Sequence, residues 1–296
     1  MRILLTGKNG QVGAELQRVL SELGEVTATG RDELNLSDPD QIRDTVRRVR
    51  PGLIVNAAAY TAVDKAESEP ELARAINGIA PGVFAEEARA GGAVLIHYST
   101  DYAYSGETQN EPYTETTTPA PASVYGKTKL EGDRAIERTG VPHLIFRTSW
   151  VYGREGKNFL RTILRLAEER DELRIVNDQT GTPTWCRSIA EATGKIVEQL
   201  MNRGEDSFAE TVSGFSGVYH MTCGGQTSWH GFAQAILDIA DPAKPMPRLV
   251  GIPTSDYPTP AARPAYSVLS NAKLEETFKI ELPDWETALR ECMESN

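Results

Sequence analysis

Cysteine is scarce in this sequence. Cys186, Cys223 and Cys292 are the only three in 296 residues, odd in number and without a CxxC pair. A disulfide framework and a thiolate zinc site are thereby excluded, and a reducing compartment fits best. Positive charge is short as well, with 31 Lys+Arg against 42 Asp+Glu and a net charge of −11. General nucleic-acid binding needs a basic excess to displace counterions, so that partner class is excluded. Long apolar runs are missing; the longest, such as residues 52–59, fall far short of a membrane span. The chain opens on Arg2-Ile3-Leu4-Leu5, which reads as a first strand, so no cleavable signal is expected before it. Internal repeats and low-complexity tracts are absent. With 40% hydrophobic and 25% charged residues, the composition is that of a soluble globular enzyme, expected in the cytoplasm. An anionic small ligand remains open, because it needs only a few local cations and backbone N–H groups.

What is present is alternation. Apolar, β-rich runs at 3–6, 26–29, 53–56, 94–98 and 144–147 are separated by amphipathic helical runs. Nearly continuous apolar strands are expected where helices cover both faces of a parallel sheet. Val12, Leu16, Val19, Leu20 and Leu23 fall on one helical face. Asp38-Pro39-Asp40-Gln41 announces the next helix, with Asp38 as cap, Pro39 at the first helical position and Gln41 reaching back. The pattern predicts an α/β fold, a Rossmann-type doubly wound parallel sheet with a smaller carboxyl-terminal substrate-binding lobe. Residues 1–150 are expected to form the dinucleotide-binding part, joined by some of 185–217, and 151–296 mainly the lobe, interleaved with the first. Beyond Trp150 the reading is a helix at 158–170, a strand at 173–176, a turn-rich stretch at 177–184 and a helix at 187–201. An exposed connection at 203–217 follows, then a β run at 218–221, a helix at 229–239, a Pro-rich loop at 253–264 and two terminal helices.

Thr6-Gly7-Lys8-Asn9-Gly10-Gln11-Val12-Gly13 follows the first strand and opens the first helix. Gly7, Gly10 and Gly13 permit a tight turn, close approach of a pyrophosphate and close helix–strand packing, and the helix N-terminus favours the phosphate charge. A plain β–α turn is the bland alternative, but the strand-turn-helix context is the one the chemistry requires. At the tip of the second strand, Arg31 can pair with the 2′-phosphate of NADP, which tilts the expectation to NADPH. Asp32 beside it leaves NADH open. Asn35 and Leu36 are candidates for the adenine side. Ala57, Ala58 and Ala59 are small enough for a cofactor to pass over the sheet.

Tyr125 and Lys129 lie four residues apart at the start of a predicted helix, which puts both on one face. A phenol with an ordinary pKa of roughly 10 is a poor proton carrier at neutral pH, and a nearby ammonium is expected to lower it. The same lysine can hydrogen-bond the nicotinamide ribose. Thr100 closes the fourth strand within Tyr98-Ser99-Thr100-Asp101-Tyr102, where an open parallel sheet presents its catalytic groups. Its hydroxyl can serve the substrate oxygen or the tyrosine, or it can simply end the strand. His97 and His143 lie in or beside apolar strands and are expected to be structural. His220 and His230 lack metal-ligand spacing, and no metal site is expected among them.

Taken together, Gly7 to Gly13, Asn56 to Ala59, Thr61-Ala62-Val63-Asp64-Lys65-Ala66-Glu67, Ser99-Thr100-Asp101-Tyr102, Tyr125-Gly126-Lys127-Thr128-Lys129 and Arg147-Thr148-Ser149-Trp150-Val151-Tyr152-Gly153 resemble the dTDP-4-dehydrorhamnose reductase family of extended short-chain dehydrogenases. The likeness continues through Asn177-Asp178-Gln179, Gly181-Thr182-Pro183-Thr184, Arg263-Pro264 and Leu282-Pro283-Asp284-Trp285, and so covers essentially the whole chain. The resemblance implies NAD(P)H-dependent reduction at C4 of a dTDP-linked keto sugar, for polysaccharide synthesis. Tyr125 would be the proton donor, Lys129 its tuner and ribose ligand, and Thr100 an assistant. It further implies cofactor contacts from Gly10, Gln11 and Val12, and substrate contacts from Val63, Thr100, Asp101, Tyr102 and Trp150. For Trp150 the bland reading is core packing. Arg263 is a candidate for the diphosphate, or equally a salt-bridge partner. Some relatives form dimers bridged by Mg²⁺ through carboxylates, one at the position of Glu15. Here Glu15 and Glu191 are present, but Arg187 stands where such relatives can be acidic, so the ion is in doubt and a homodimer is left open.

Two rival readings are kept. A related epimerase or dehydratase shares the fold, but Tyr102 follows Thr100-Asp101 where a dehydratase carries an Asp-Glu pair. A non-catalytic regulatory subunit of the methionine adenosyltransferase type shares much of the nucleotide pattern. The intact set of Thr100, Tyr125 and Lys129 favours an enzyme.

Overall fold

A computed structural model of the protein describes residues 1–107, 111–203, 207–240 and 246–295. Its amino-terminal half runs β1 (Arg2–Thr6), α1 (Gln11–Leu20), β2 (Glu25–Thr29), α2 (Pro39–Val49), β3 (Leu53–Asn56), α3 (Val63–Ala66), α4 (Pro70–Arg74), a π-helical turn (Ala75–Ile79), α5 (Ala80–Gly91), β4 (Val94–Thr100), α6 (Val124–Thr139) and β5 (His143–Thr148). After β5 come β6 (Val151–Tyr152), α7 (Phe159–Glu169), β7 (Glu172–Val176), β8 (Thr180–Gly181), β9 (Thr184–Trp185), α8 (Cys186–Met201), α9 (Phe208–Ser213) and β10 (Gly217–His220). The chain ends with β11 (Thr227–Ser228), α10 (Trp229–Ile239), β12 (Arg248–Ile252), α11 (Ala272–Phe278) and α12 (Trp285–Glu294).

Six strands make one parallel sheet in the order β10-β5-β4-β3-β1-β2, the doubly wound Rossmann arrangement predicted. Because strand side chains alternate between faces, Ile3, Leu5, Val55 and Ile96 pack with α1 and α8 on one side. Leu4, Ile54, Leu95 and Ile145 pack with α2 and α5 on the other. Asp38 caps α2 through the Asp40 and Gln41 amides, as its sequence announces. A third core gathers Tyr152, Trp185, Phe232 and Trp285 between α7, α10 and α12, and Val12 and Val151 touch both this core and the sheet. The second half of the chain is therefore shared. Its α8 and β10 complete the sheet's layers, while α7, α10 and α12 form the lobe.

One expectation is corrected. Within 203–217, where an exposed connection was predicted, Phe208–Ser213 is a helix closed by a reciprocal cap between Ser207 and Glu210, and it buries Val212 against the sheet. The Ser-x-x-Glu signal was present, but a helix this short has little periodicity to announce it. Residues 204–206 of that stretch lie outside the described residues.

Candidate active site

The strand order reverses between β1 and β3, and the crevice of an open α/β sheet lies at such a point. There Gly7 takes φ +80, and a Cβ on it would stand 2.8 Å from the Ala58 nitrogen. A Cβ on Gly13 would stand 2.0 Å from the Gly7 oxygen. The glycines therefore let β1, α1 and the Ala57–Ala58 segment converge. Gly10 begins α1 without any side-chain cap, whereas α6 is capped by Ser123. The first N–H groups of α1 are left for an anion. Gln11 turns its side chain to the lobe, where its Oε1 accepts from Asn158 at 2.7 Å, so toward a cofactor it offers only main chain. Arg31 and Asp32 are exposed beyond β2. Glu33, not singled out from sequence, accepts from the Gly30 N–H at 2.7 Å and pairs with Lys8, and the Lys8 ammonium holds its carboxyl below the ordinary range. Asn35 is exposed and accepts from the Ser37 N–H at 3.1 Å, and Leu36 packs beside α2.

At the carboxyl end of β4 four predicted residues meet. Thr100 donates to Asp101 Oδ1 at 2.9 Å and accepts from the Tyr102 N–H at 3.2 Å. Tyr102 and Tyr125 stand edge to face with centroids 5.5 Å apart. The approach of α6 depends on Gly126, where a Cβ would lie 2.3 Å from the Tyr102 oxygen. Asp101 is 4% exposed, and its Oδ2 has no hydrogen-bond partner among the described residues. Burial pushes its pKa up to about 6, against the opposing hydroxyls of Ser267 and Thr100.

Tyr125 differs from expectation. Burial pushes its phenol above the ordinary range, opposed by the Thr100 hydroxyl and reinforced by Asp101. Lys129 does not lower it, because the amine is turned toward the sheet. It donates to the Tyr98 carbonyl at 2.6 Å and lies 3.1 Å from His97 Nε2. Burial brings the Lys129 pKa down to about 8, with Asp133 pulling the other way. These contacts account for two of the three donors of an ammonium.

The lobe supplies the other wall. Trp150 lies two residues past β5, whose Thr148 pairs in register with Thr100. It adopts φ +44 and stacks on Trp229 at 3.6 Å between centroids and 6° between planes. Gly181 is required beneath it, since a Cβ there would meet the indole at 2.4 Å. Trp229 donates to Gln179 Oε1 at 3.2 Å. Arg263 pairs with Asp64 at 2.6 Å and faces the Tyr102 phenol, which burial pushes up to about 12 and Arg263 pulls down. Asp64 also accepts from the Ala261 N–H at 3.2 Å, strapping this loop to α3, where Val63 is the first residue. Trp229 and Asp64 were not named from sequence as site residues. Their contacts span up to 199 positions, a separation no local pattern reports.

The whole chain, residues 1–296, matches the family model described as the RmlD substrate binding domain. It is 50% identical to a dTDP-4-dehydrorhamnose reductase of Burkholderia thailandensis, covering 99% of this chain and 98% of that protein. Among solved structures, a dTDP-4-dehydrorhamnose reductase from Clostridium acetobutylicum superposes with a TM-score of 0.89 at 37% identity over 99% and 98% of the two chains. One from Bacillus anthracis, in complex with NADP, superposes with 0.88 at 33% identity over the same shares.

Proposed function

The chain belongs to the dTDP-4-dehydrorhamnose reductase family, and from that premise we propose that it reduces the C4 keto group of dTDP-4-dehydro-β-L-rhamnose to give dTDP-β-L-rhamnose, with NADPH as the preferred reductant. The observation that carries the reading is the meeting of Thr100, Asp101, Tyr102 and Tyr125 at the carboxyl end of the sheet's strands, together with a glycine cradle and an uncapped helix. The glycine cradle suits a dinucleotide, because a Cβ at Gly7 or Gly13 would fill it. Gly10, Gln11 and Val12 would hold the pyrophosphate through their amides, and Arg31 would meet a 2′-phosphate. When bound, the reduced nicotinamide supplies the hydride to C4.

The protein's own part is proton delivery and positioning. A phenol kept above its ordinary pKa stays protonated at neutral pH. It gives up its proton only as the C4 oxygen becomes an alkoxide, a far stronger base. Thr100 orients that phenol. Lys129 keeps one donor for the cofactor ribose. Asp101 offers its unpartnered Oδ2 to a sugar hydroxyl, and Trp150 and Tyr102 flank the sugar. Arg263 has donors beyond the one spent on Asp64 and would meet the diphosphate.

The Mg²⁺ bridge implied by some relatives does not fit these residues. Glu15 is flanked by Arg187 at 3.4 Å and Arg18 at 3.5 Å, and Arg18 reaches Glu191 at 3.4 Å. Two guanidinium groups supply the charge a divalent ion would bring and repel its approach. Three buried free thiols accord with a reducing cytoplasm, and among the described residues no helix is long and apolar enough to cross a membrane. The test is NADPH oxidation with dTDP-4-dehydrorhamnose and identification of the product by NMR. Production of dTDP-β-L-rhamnose supports the reading, and a cofactor that is not consumed overturns it.

A further inference from the structure

A polar row crosses the sheet beneath the site and ends on the lysine. Thr6, Asn56 and His97 are register partners on β1, β3 and β4, so their side chains share the α6 face of the sheet. Thr6 Oγ1 lies 2.7 Å from Asn56 Oδ1, Asn56 Nδ2 lies 3.0 Å from His97 Nδ1, and His97 Nε2 lies 3.1 Å from Lys129 Nζ. The three sheet residues are at most 1% exposed, as is Lys129. Nothing in this row touches solvent, so its hydrogen bonds must be satisfied internally.

We propose that His97 is a positioning residue for the reaction, whose neutral ring presents Nε2 as an acceptor and thereby holds Lys129 in its charged form. The inference rests on the reading of Lys129 as part of the reductase machinery. Burial and the neighbouring ammonium both keep His97 neutral, so the ring has one N–H and one acceptor nitrogen. An ammonium can only donate, so Nε2 must accept and Nδ1 must carry the hydrogen. That requires Asn56 to turn its amide oxygen to Nδ1 and its nitrogen to Thr6, a half-turn that exchanges two atoms of equal size. With the amide as placed, Thr6 Oγ1 donates to Asn56 Oδ1 and Asn56 Nδ2 to His97 Nδ1; in that polarity Nε2 carries the hydrogen, and Lys129 must be an uncharged amine to accept it. The direction of hydrogen bonding along Thr6, Asn56 and His97 therefore decides the charge of Lys129.

Other groups around the amine act differently. On α6, Asp133 favours the charge, and it is itself paired with Arg147 of β5 at 3.0 Å. Tyr125 stands one turn away on the same helix, and Asp101 and Tyr102 follow β4. Among the described residues, His97 and the Tyr98 carbonyl are the groups that hydrogen-bond the amine directly.

The experiment is the pH profile of kcat for the wild type, Lys129→Met, His97→Asn and His97→Gln. Asparagine approximates the Nδ1 side of the ring and loses the lysine contact, whereas glutamine reaches the Nε2 position with an acceptor oxygen. Loss of one hydrogen bond to a buried charge should move the basic limb of His97→Asn down by roughly one pH unit, and His97→Gln should restore it. A limb that stays in place in His97→Asn, or moves equally in both variants, overturns the inference. Retained turnover in Lys129→Met overturns instead the reading on which it rests. Should the variants fail to fold, ¹⁵N NMR of the wild-type imidazoles decides. Hydrogen on Nδ1 of His97 is expected, and hydrogen on Nε2 refutes the proposal.

Discussion

Arg147 and Arg263 each meet an aspartate near the site, but in different settings. The pair of Arg147 with Asp133 has side chains 4% and 1% exposed, and both partners are further tied to Tyr104 and Ser99. The pair of Arg263 with Asp64 leaves 21% and 41% exposed. The first belongs to the sheet wall, where both charged groups are buried and held by further hydrogen bonds. The second belongs to the lobe wall, where the pair is partly open to solvent. A proton donor needs fixed geometry, whereas a recognition surface gains by being able to rearrange. On the proposed function the two walls divide the work accordingly.

Breaking the sheet wall should have the largest effect. Arg147→Met leaves the Asp133 carboxylate buried and unpaired, which typically costs about 3–5 kcal/mol; urea denaturation should show the loss, and Arg263→Met should show much less. Next comes Tyr125→Phe. The rate should fall by about 100-fold or more, as for removal of a general acid, with NADPH binding by fluorescence titration nearly unchanged.

Asp101 sharpens the contrast through pH. Its folded pKa of about 6 lies above the ordinary 3.8, so its contribution to stability is complete below 3.8 and is lost as the pH rises through 6. Asp101→Asn, which does not ionise, should therefore gain on the wild type by about 2 kcal/mol between pH 4 and 7, in thermal melts across that range. On the lobe wall, Trp229→Ala removes the stacking partner of Trp150 and should raise KM about two- to tenfold, with kcat little altered. The smallest effect is expected from EDTA. Turnover should not change if the two arginines beside Glu15 take the place of a metal, as proposed.

Legibility followed the same division. The strands of the sheet, the glycine turn and the helix carrying Tyr125 and Lys129 could be read from local periodicity, since each depends on neighbours a few residues away. The lobe wall could be read only in part. Trp150 and Arg263 were visible as motif members, but the stack of Trp150 on Trp229 and the tie of Arg263 to Asp64 join distant segments. The orientation of the Lys129 amine was hidden for a related reason. Helical spacing put it beside Tyr125, and only the packing of α6 on β4 showed that it turns to His97 and the Tyr98 carbonyl instead. Burial, which raises the phenol, is likewise a property of the assembled fold.

The most direct test of proton delivery by Tyr125 is a crystal structure with NADP and the dTDP-sugar both bound. The Tyr125 hydroxyl is expected at about 3 Å from the sugar's C4 oxygen, with the nicotinamide ring against C4. A phenol turned away from that oxygen, with another donor in its place, would contradict it.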